Sequence, residues 1–180
     1  MLLTLLVPCL GTTGALAAEI EDLYWDPPTP LALQDIHGRQ HELGDTVGSV
    51  VLVSFWTTWC PPCLKEMPSL QRLGSMLAND GLEVLAVNVG ESRERVRRFR
   101  GLPAEPIDVL LDRGGDNARL WGVQAYPTAF LLNREGRIVM RIAGRVDWED
   151  EMLVEPIRAE LALAKASLAD NRLDDRERAE

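Results

Sequence analysis

Two cysteines, Cys60 and Cys63, are the residues of this chain best suited to chemistry. They follow an apolar run at residues 50–56, which predicts a strand buried on both faces, and they precede a helical stretch at residues 63–78. A C-x-x-C pair where a strand gives way to a helix is a redox signature, because the helix N-terminus stabilises a thiolate. The spacing also lets the two sulfurs close a disulfide within one helical turn. We therefore predict reversible thiol–disulfide chemistry, with Cys60 at the exposed end as the attacking nucleophile and Cys63 as the residue that resolves the mixed disulfide.

The two residues between the cysteines, Pro61 and Pro62, bear on the direction of this chemistry. Neither has a backbone N–H, so two donors that could solvate the Cys60 thiolate are missing. No His or Lys lies between the cysteines to add positive charge. A thiolate that is less stabilised than in strongly oxidising enzymes favours a reductant.

Glu66 is the candidate proton carrier, since it lies three residues after Cys63 on the same helical face. A carboxyl group there can exchange protons with the resolving thiol, provided that it is partly buried and protonatable near neutral pH. The spacing alone fits a solvent-exposed helix glutamate equally well.

The elements that position these residues belong to one domain. The chain has 180 residues, of which 46% are hydrophobic and 26% charged, a composition typical of a globular protein with a core. Strands and helices alternate and are followed by a hairpin and a closing helix, which predicts a three-layer α/β fold with a mixed sheet. We predict a small hairpin at 31–36 and 40–43, strands at 50–56, 83–89, 107–111, 128–132 and 137–143, and helices at 63–78, 91–100, 117–121 and 147–166.

The two ends of the chain differ from this domain. Residues 1–18 carry no charge and combine a short apolar run with small residues, so we predict a signal peptide or an N-terminal membrane anchor. Residues 19–30 are expected to form an extended lead-in, residues 31–166 the domain, and residues 167–180 a charged flexible tail.

Residues along most of the chain resemble the thioredoxin-like proteins of the TlpA/ResA type. The resemblance spans residues 31–163 and rests on four segments taken together: Phe55-Trp56 with Trp59-Cys60-Pro61-Pro62-Cys63 and Lys65-Glu66-Met67-Pro68, then Val87-Asn88-Val89-Gly90-Glu91-Ser92, then Gly122-Val123-Gln124-Ala125-Tyr126-Pro127-Thr128, and Phe130 to Val139. It implies an α/β, thioredoxin-like three-layer fold with a mixed central sheet, an N-terminal β-hairpin extension and an inserted helix–strand at residues 91–111.

The resemblance also implies roles for single residues. Glu66 corresponds to the buried glutamate that tunes the active cysteines, and Pro127 to the cis-proline that faces the disulfide. The backbone of Tyr126 would then dock an extended substrate chain, and Trp59 would cover the disulfide. The residues expected to contact substrate are Trp59, Pro61, Pro62, Tyr126 and Pro127.

Proteins of this type are exported or membrane-tethered, so the resemblance implies a periplasmic place or the outer face of the cytoplasmic membrane. The partners it implies are disulfide-containing protein substrates, among them the haem-binding Cys pair of apocytochrome c, and a membrane donor of reducing equivalents. We expect a monomer whose cofactor is the Cys60–Cys63 disulfide alone, with no metal. Nucleic acid is not expected as a partner, because 28 acidic residues against 19 basic ones give a net charge of −9.

Two other functions use the same residues or the same fold. A metal-binding chaperone could use His37, His41, Cys60 and Cys63 for zinc, although the order of the pairs is reversed from that of a zinc finger. Copper binding of the Sco type needs a His downstream of the cysteines, and none follows Cys63. A peroxiredoxin-like peroxidase needs a Pro shortly before its reactive Cys, whereas residues 57–59 contain none.

Overall fold

The computed structural model describes residues 18–27 and 31–177 of the chain. The predicted signal peptide or anchor, apart from its last residue, lies outside them. No helix in this described part is both long enough and apolar enough to cross a membrane.

A six-stranded mixed sheet forms the centre of the molecule. Its strands in chain order are β1 (Glu19–Trp25), β4 (Val50–Trp56), β5 (Leu82–Val89), β6 (Ile107–Asp112), β7 (Thr128–Leu132) and β8 (Ile138–Ala143), while β2 (Ala32–Gln34) and β3 (Gln40–Glu42) form a separate hairpin. The spatial order is β1-β8-β7-β4-β5-β6. Strands β4, β5 and β6 run parallel, and β7, β8 and β1 are antiparallel to their neighbours.

The central strand β4 separates two apolar layers because its side chains alternate between the faces of the sheet. Val50, Leu52 and Trp56 belong to one buried cluster. Val51, Val53 and Phe55 belong to the other. All seven residues of β4 are buried, as the uninterrupted apolar run predicts.

Four helices cover the sheet: α1 (Pro61–Leu77), α2 (Arg93–Arg98), α3 (Asp116–Leu120) and α4 (Glu151–Glu177). The first cluster fills the space between the sheet and helices α1 and α4. The second cluster lies under α3 and under the β2–β3 hairpin. The predicted three-layer thioredoxin-like fold, its N-terminal hairpin and the inserted α2–β6 unit are thereby confirmed.

The structure differs from the sequence-based boundaries at both ends of the domain. The predicted lead-in of residues 19–30 contains strand β1, which forms one edge of the central sheet. It pairs with the backbone of β8, so that Glu19 lies opposite Ala143. The tail of residues 167–180 is helical as far as Glu177. No Pro or Gly interrupts that stretch as far as Glu177, so helix propensity is compatible with the continuation of α4. The charged helix predicted at 91–100 is shorter, ending at Arg98 where Phe99 turns to an extended conformation.

Candidate active site

The Cys pair lies at the junction of β4 and α1, where the sequence predicts it. Cys60 is the N-cap of α1, and Pro61 and Pro62 occupy its first positions, where a missing N–H costs no helical hydrogen bond. The N–H of Cys63 donates to Sγ of Cys60 at 3.2 Å. The two prolines have no N–H. In the first turn of α1, the donor to the Cys60 sulfur is therefore the N–H of Cys63.

Cys60 and Cys63 form a disulfide, with 5.3 Å between their Cα atoms. Cys63 is fully buried and Cys60 is 4% exposed. Cys60 is therefore the more accessible of the two sulfurs, as its role as nucleophile requires, although it is less exposed than its place at the helix end suggests.

The loop before β7 faces the disulfide from the opposite side. The Tyr126–Pro127 peptide bond is cis, as the resemblance implies. The carbonyl oxygen of Tyr126 lies 3.6 Å from Sγ of Cys60. The ring of Tyr126 meets the ring of Trp59 edge-to-face, with centroids 6.2 Å apart. Trp59 is 62% exposed, so it borders the disulfide as a solvent-facing wall.

A groove of about 550 Å³ opens beside this loop. Three of the five residues expected to contact substrate line it, namely Pro62, Tyr126 and Pro127. Trp59 adjoins the groove through Tyr126, whereas Pro61 is exposed and lies outside its lining. Residues next to the Tyr126–Pro127 bond add to the lining, and so do the first residue of β1 and the end of β8 with the turn after it, including Glu19, Arg141 and Arg145. Contact of these residues with substrate stays a prediction.

Glu66 lies on the buried face of α1 with 3% of its surface exposed, which rules out the solvent-exposed alternative. Burial raises the pKa of this carboxyl group to about 7, and the N–H of Val146, which donates to it at 3.2 Å, offsets only part of that effect. The buried indole N–H of Trp148 also faces the carboxyl group, at a geometry short of a hydrogen bond. Glu66 is therefore poised to change its protonation state at neutral pH.

The loop that carries Val146 and Trp148 is held against α1 by Ser69. The hydroxyl of Ser69 donates to the carbonyl oxygen of Glu66 at 2.8 Å and accepts from the backbone N–H of Trp148 at 3.2 Å. This bridge fixes the Val146 donor relative to the Glu66 carboxyl group.

A second buried carboxylate, Glu91, lies behind the Cys pair, and the sequence reasoning assigned it no role. It follows the carboxyl end of β5 and accepts hydrogen bonds from the Thr58 N–H at 2.7 Å, the Thr58 hydroxyl at 2.6 Å, Asn88 Nδ2 at 2.9 Å and the Arg95 guanidinium. Desolvation acts to raise the pKa of Glu91, but these donors outweigh it and the pKa lies below its usual value. The local sequence gives no signal for this contact, because only the parallel pairing of β4 with β5 brings their carboxyl ends to one edge of the sheet.

The structure does not support the predicted zinc alternative. Within residues 18–27 and 31–177, one group of three candidate ligands converges, formed by Asp35, His41 and Asp108, and neither cysteine belongs to it. The Asp35 carboxylate is occupied by the Arg39 guanidinium at 2.6 Å, and Arg39 also reaches Asp108 at 3.0 Å. The Arg39 guanidinium thus fills the position that a metal cation would need.

The sheet order and the placement of the Cys pair make this protein a thioredoxin-like thiol–disulfide oxidoreductase. The chain belongs to the AhpC/TSA family, whose model matches residues 26–141.

The chain is similar to several thiol–disulfide oxidoreductases in sequence and to solved structures in fold. The chain is 37% identical over 118 residues to the thiol-disulfide oxidoreductase ResA of Geobacillus thermodenitrificans, covering 66% of this chain and 68% of the relative. It is 35% identical over 146 residues to ResA of Bacillus subtilis, covering 79% and 82%. Among solved structures, a thiol:disulfide interchange protein DsbE from Chlorobium tepidum superposes with a TM-score of 0.71 at 32% identity, covering 78% of this chain and 99% of the other. The predicted ResA-type resemblance is confirmed.

Proposed function

We propose that this oxidoreductase works outside the cytoplasm as a reductant of particular protein disulfides. The observation that carries the direction is the solvation of the Cys60 sulfur, to which α1 gives the single N–H of Cys63. A sparsely solvated thiolate is a less stable reduced product, so the disulfide form is favoured and the pair donates electrons more readily.

The reaction runs in two exchange steps. The Cys60 thiolate attacks one sulfur of the substrate disulfide, forms a mixed disulfide and expels the other substrate sulfur as a thiolate. Cys63, once deprotonated, attacks Sγ of Cys60 and releases the second substrate thiolate. Two electrons pass to the substrate, and the Cys60–Cys63 disulfide of the structure is the product.

Glu66 serves the second step by accepting the proton of Cys63. The two residues are one helical turn apart on α1 and both are buried. A carboxyl group with a pKa of about 7 is ionised in part at neutral pH, so it can take that proton and return it when the disulfide is reduced again.

The substrate segment lies in the groove beside Pro127 and pairs with the backbone of Tyr126. Support comes from the short distance between the Tyr126 carbonyl oxygen and Sγ of Cys60, which places the docking backbone next to the reacting sulfur. The groove has a volume of about 550 Å³, and the exposed ring of Trp59 adjoins it through its contact with Tyr126.

The uncharged stretch at residues 1–18 supports export, with the domain free or tethered on the outer face of the membrane. There we propose that a membrane donor reduces the pair again and that the substrates include the Cys pair of apocytochrome c. The protein acts as a monomer.

The equilibrium redox potential of the Cys60–Cys63 pair tests the direction. Titration of the full chain against dithiothreitol buffers is expected to give a value at or below roughly −270 mV, the level of thioredoxin. A value of roughly −120 to −180 mV would make the protein an oxidase or isomerase and overturn the reductant proposal.

A trapping experiment tests the substrate class. In protein that also carries Cys9→Ala, Cys63→Ser is expected to accumulate the mixed disulfide between Cys60 and an oxidised synthetic peptide carrying a C-x-x-C-H pair, since the protein has no second thiol to resolve it. Cys60→Ser is the matched control and should trap nothing. If Cys63→Ser captures unrelated disulfide peptides equally well, the proposed preference for the haem-binding pair is wrong.

A further inference from the structure

The segment between β4 and the Cys pair has few internal restraints. The Cys60 N–H reaches the Thr57 carbonyl oxygen at 3.4 Å, which closes a turn over residues 57–60. Trp59, inside that turn, is exposed and its ring touches Tyr126. The position of Trp59 and of Cys60 therefore depends on how Thr58 is held.

Thr58 is held from behind by Glu91, 33 residues further along the chain. One carboxylate oxygen of Glu91 accepts from the Thr58 N–H and from Asn88 Nδ2, and the other accepts from the Thr58 hydroxyl and from Arg95. Asn88 is fully buried in β5, so the carboxylate is anchored to the rigid part of the sheet. Thr58 is thus tied by two hydrogen bonds to a fixed point.

The charge on this anchor is balanced by Arg95. Glu91 is 6% exposed, whereas the Arg95 side chain is 61% exposed and its Nε also lies 3.4 Å from the Thr58 hydroxyl. Without Arg95, the buried negative charge of Glu91, which is hydrogen-bonded to Thr58 two residues before Cys60, would oppose formation of the Cys60 thiolate. With Arg95, the pair is neutral and can hold the loop without that penalty.

We propose that Glu91 and Arg95 act together as positioning residues of the exchange reaction, Glu91 fixing Thr58 so that Trp59 and Cys60 face the substrate, and Arg95 keeping the anchor electrically neutral. This inference rests on thiol–disulfide exchange at Cys60 and not on the direction of that exchange.

The electrostatic half is tested by titrating the Cys60 thiolate through its absorbance at 240 nm in full-length protein carrying Cys9→Ala and Cys63→Ser. Glu91→Gln leaves Arg95 uncompensated and is expected to lower the pKa of Cys60 by about half a unit. Arg95→Gln leaves Glu91 uncompensated and is expected to raise it by about as much. Glu94→Gln, an exposed carboxyl group on the same helix, should leave it unchanged. A loop that is merely loosened would move the pKa in the same direction in both variants.

The positional half is tested by the rates of two substrates in protein that keeps both active cysteines. With Glu91→Gln, reduction of a disulfide peptide carrying a C-x-x-C-H pair is expected to slow about tenfold, because the docking wall at Trp59 is displaced. Reduction of 2-hydroxyethyl disulfide, which needs no docking wall, should change less than threefold.

The proposal is wrong if the two Gln variants shift the pKa of Cys60 in the same direction or not at all, or if both substrates slow equally. If Glu91→Gln does not fold, the test rests on Arg95→Gln, whose site is exposed. The direction in which it shifts the pKa of Cys60 then decides for or against the proposal. A wild-type pair that proves oxidising would refute the reductant proposal and leave these outcomes unaffected.

Discussion

Two buried carboxyl groups flank the Cys pair, and they behave in opposite ways. Glu66 lies beneath α1 and is 3% exposed, while Glu91 lies behind residues 57–60 and is 6% exposed. The pKa of Glu66 is raised to about 7 and the pKa of Glu91 lies below its usual value. Both side chains have little exposed surface, but Glu66 is enclosed more deeply and has one hydrogen bond, from Val146. Glu91 has four hydrogen bonds from three residues, one of them the Arg95 guanidinium.

The comparison shows how one active site can contain a mobile proton and a fixed charge. A buried carboxyl group with few donors holds its proton up to neutral pH, which suits proton transfer. A buried carboxylate with many donors stays ionised and restrains the groups that donate to it. Deep enclosure with few donors raises the pKa of Glu66, and many donors with a paired guanidinium lower the pKa of Glu91.

The largest expected effect is on stability. Glu91→Ala is expected to lower the free energy of unfolding by about 4 kcal/mol, because the Thr58 N–H and the Asn88 amide lose their acceptor in a buried place. Urea unfolding of the oxidised protein at pH 7.5 measures this. Glu66→Ala is the matched variant and should lower the free energy of unfolding by less, because this substitution also removes a poorly solvated carboxylate. Equal losses would mean that the two carboxyl groups are not distinguished by their donors.

The second largest expected effect is the pH dependence of stability, which differs in sign between Glu66 and Glu91. Native Glu66 keeps its proton up to about pH 7, while the unfolded chain releases it near 4.5, so stability is full below pH 4.5 and falls as pH rises through 7. The loss is on the order of 3 kcal/mol. The difference between wild type and Glu66→Gln, measured by urea unfolding from pH 4 to 8, isolates this slope.

The pH dependence of Glu91 has the opposite sign. Its lowered pKa adds stability above pH 4.5 that is lost as pH falls through the native value. Glu91→Gln should therefore reduce the loss of stability that occurs at acid pH, and it should leave the slope of stability between pH 5 and 7 unchanged. A Glu91→Gln variant that flattens the neutral region would contradict the assignment.

The exchange rate is expected to respond to Glu66 as a proton acceptor. With Glu66→Gln, resolution of the mixed disulfide by Cys63 should slow by roughly a hundredfold at pH 7. Its rate should then keep rising with pH above 7 instead of reaching a plateau, because the buried Cys63 thiol has to lose its proton without the carboxylate. Single-turnover kinetics across this pH range provide the measurement, and Lys65→Gln, exposed on the same helix, is the control. An unchanged profile would show that Glu66 carries no proton in the reaction.

The smallest expected effect concerns Trp148, whose indole N–H faces the Glu66 carboxyl group. Trp148→Phe removes that N–H and should raise the pKa of Glu66 by about 0.3 unit. The midpoint of the neutral pH slope in the unfolding experiment reports the shift. A downward movement would mean that the indole does not favour the ionised carboxylate.

The sequence predicted the parts of the site that depend on neighbours in the chain. The Cys pair, Glu66 and the strand before them are set by local spacing and by an apolar run, and the structure confirms their placement. Glu91 could not be assigned in this way because its partner Thr58 is 33 residues away, and only the parallel pairing of β4 with β5 brings them together.

The edge strand β1 escaped prediction for a related reason. Its sequence, Glu-Ile-Glu-Asp-Leu-Tyr-Trp, contains few buried positions, so its alternation is weak. What makes it a strand is the free edge of β8, a tertiary partner that no local pattern reveals. The helical continuation of α4 to Glu177 was missed because its charged residues resemble those of a solvated tail.

Strand β1 has a practical consequence for anyone who prepares this protein. Its first residue, Glu19, lines the groove in which we propose that substrate docks, together with Pro62 and Tyr126. An affinity tag or carrier protein fused directly ahead of Glu19 would be tethered at the mouth of that groove, in direct competition with any polypeptide offered to the disulfide. Assays of such a fusion would understate activity, and removal of the tag would restore it.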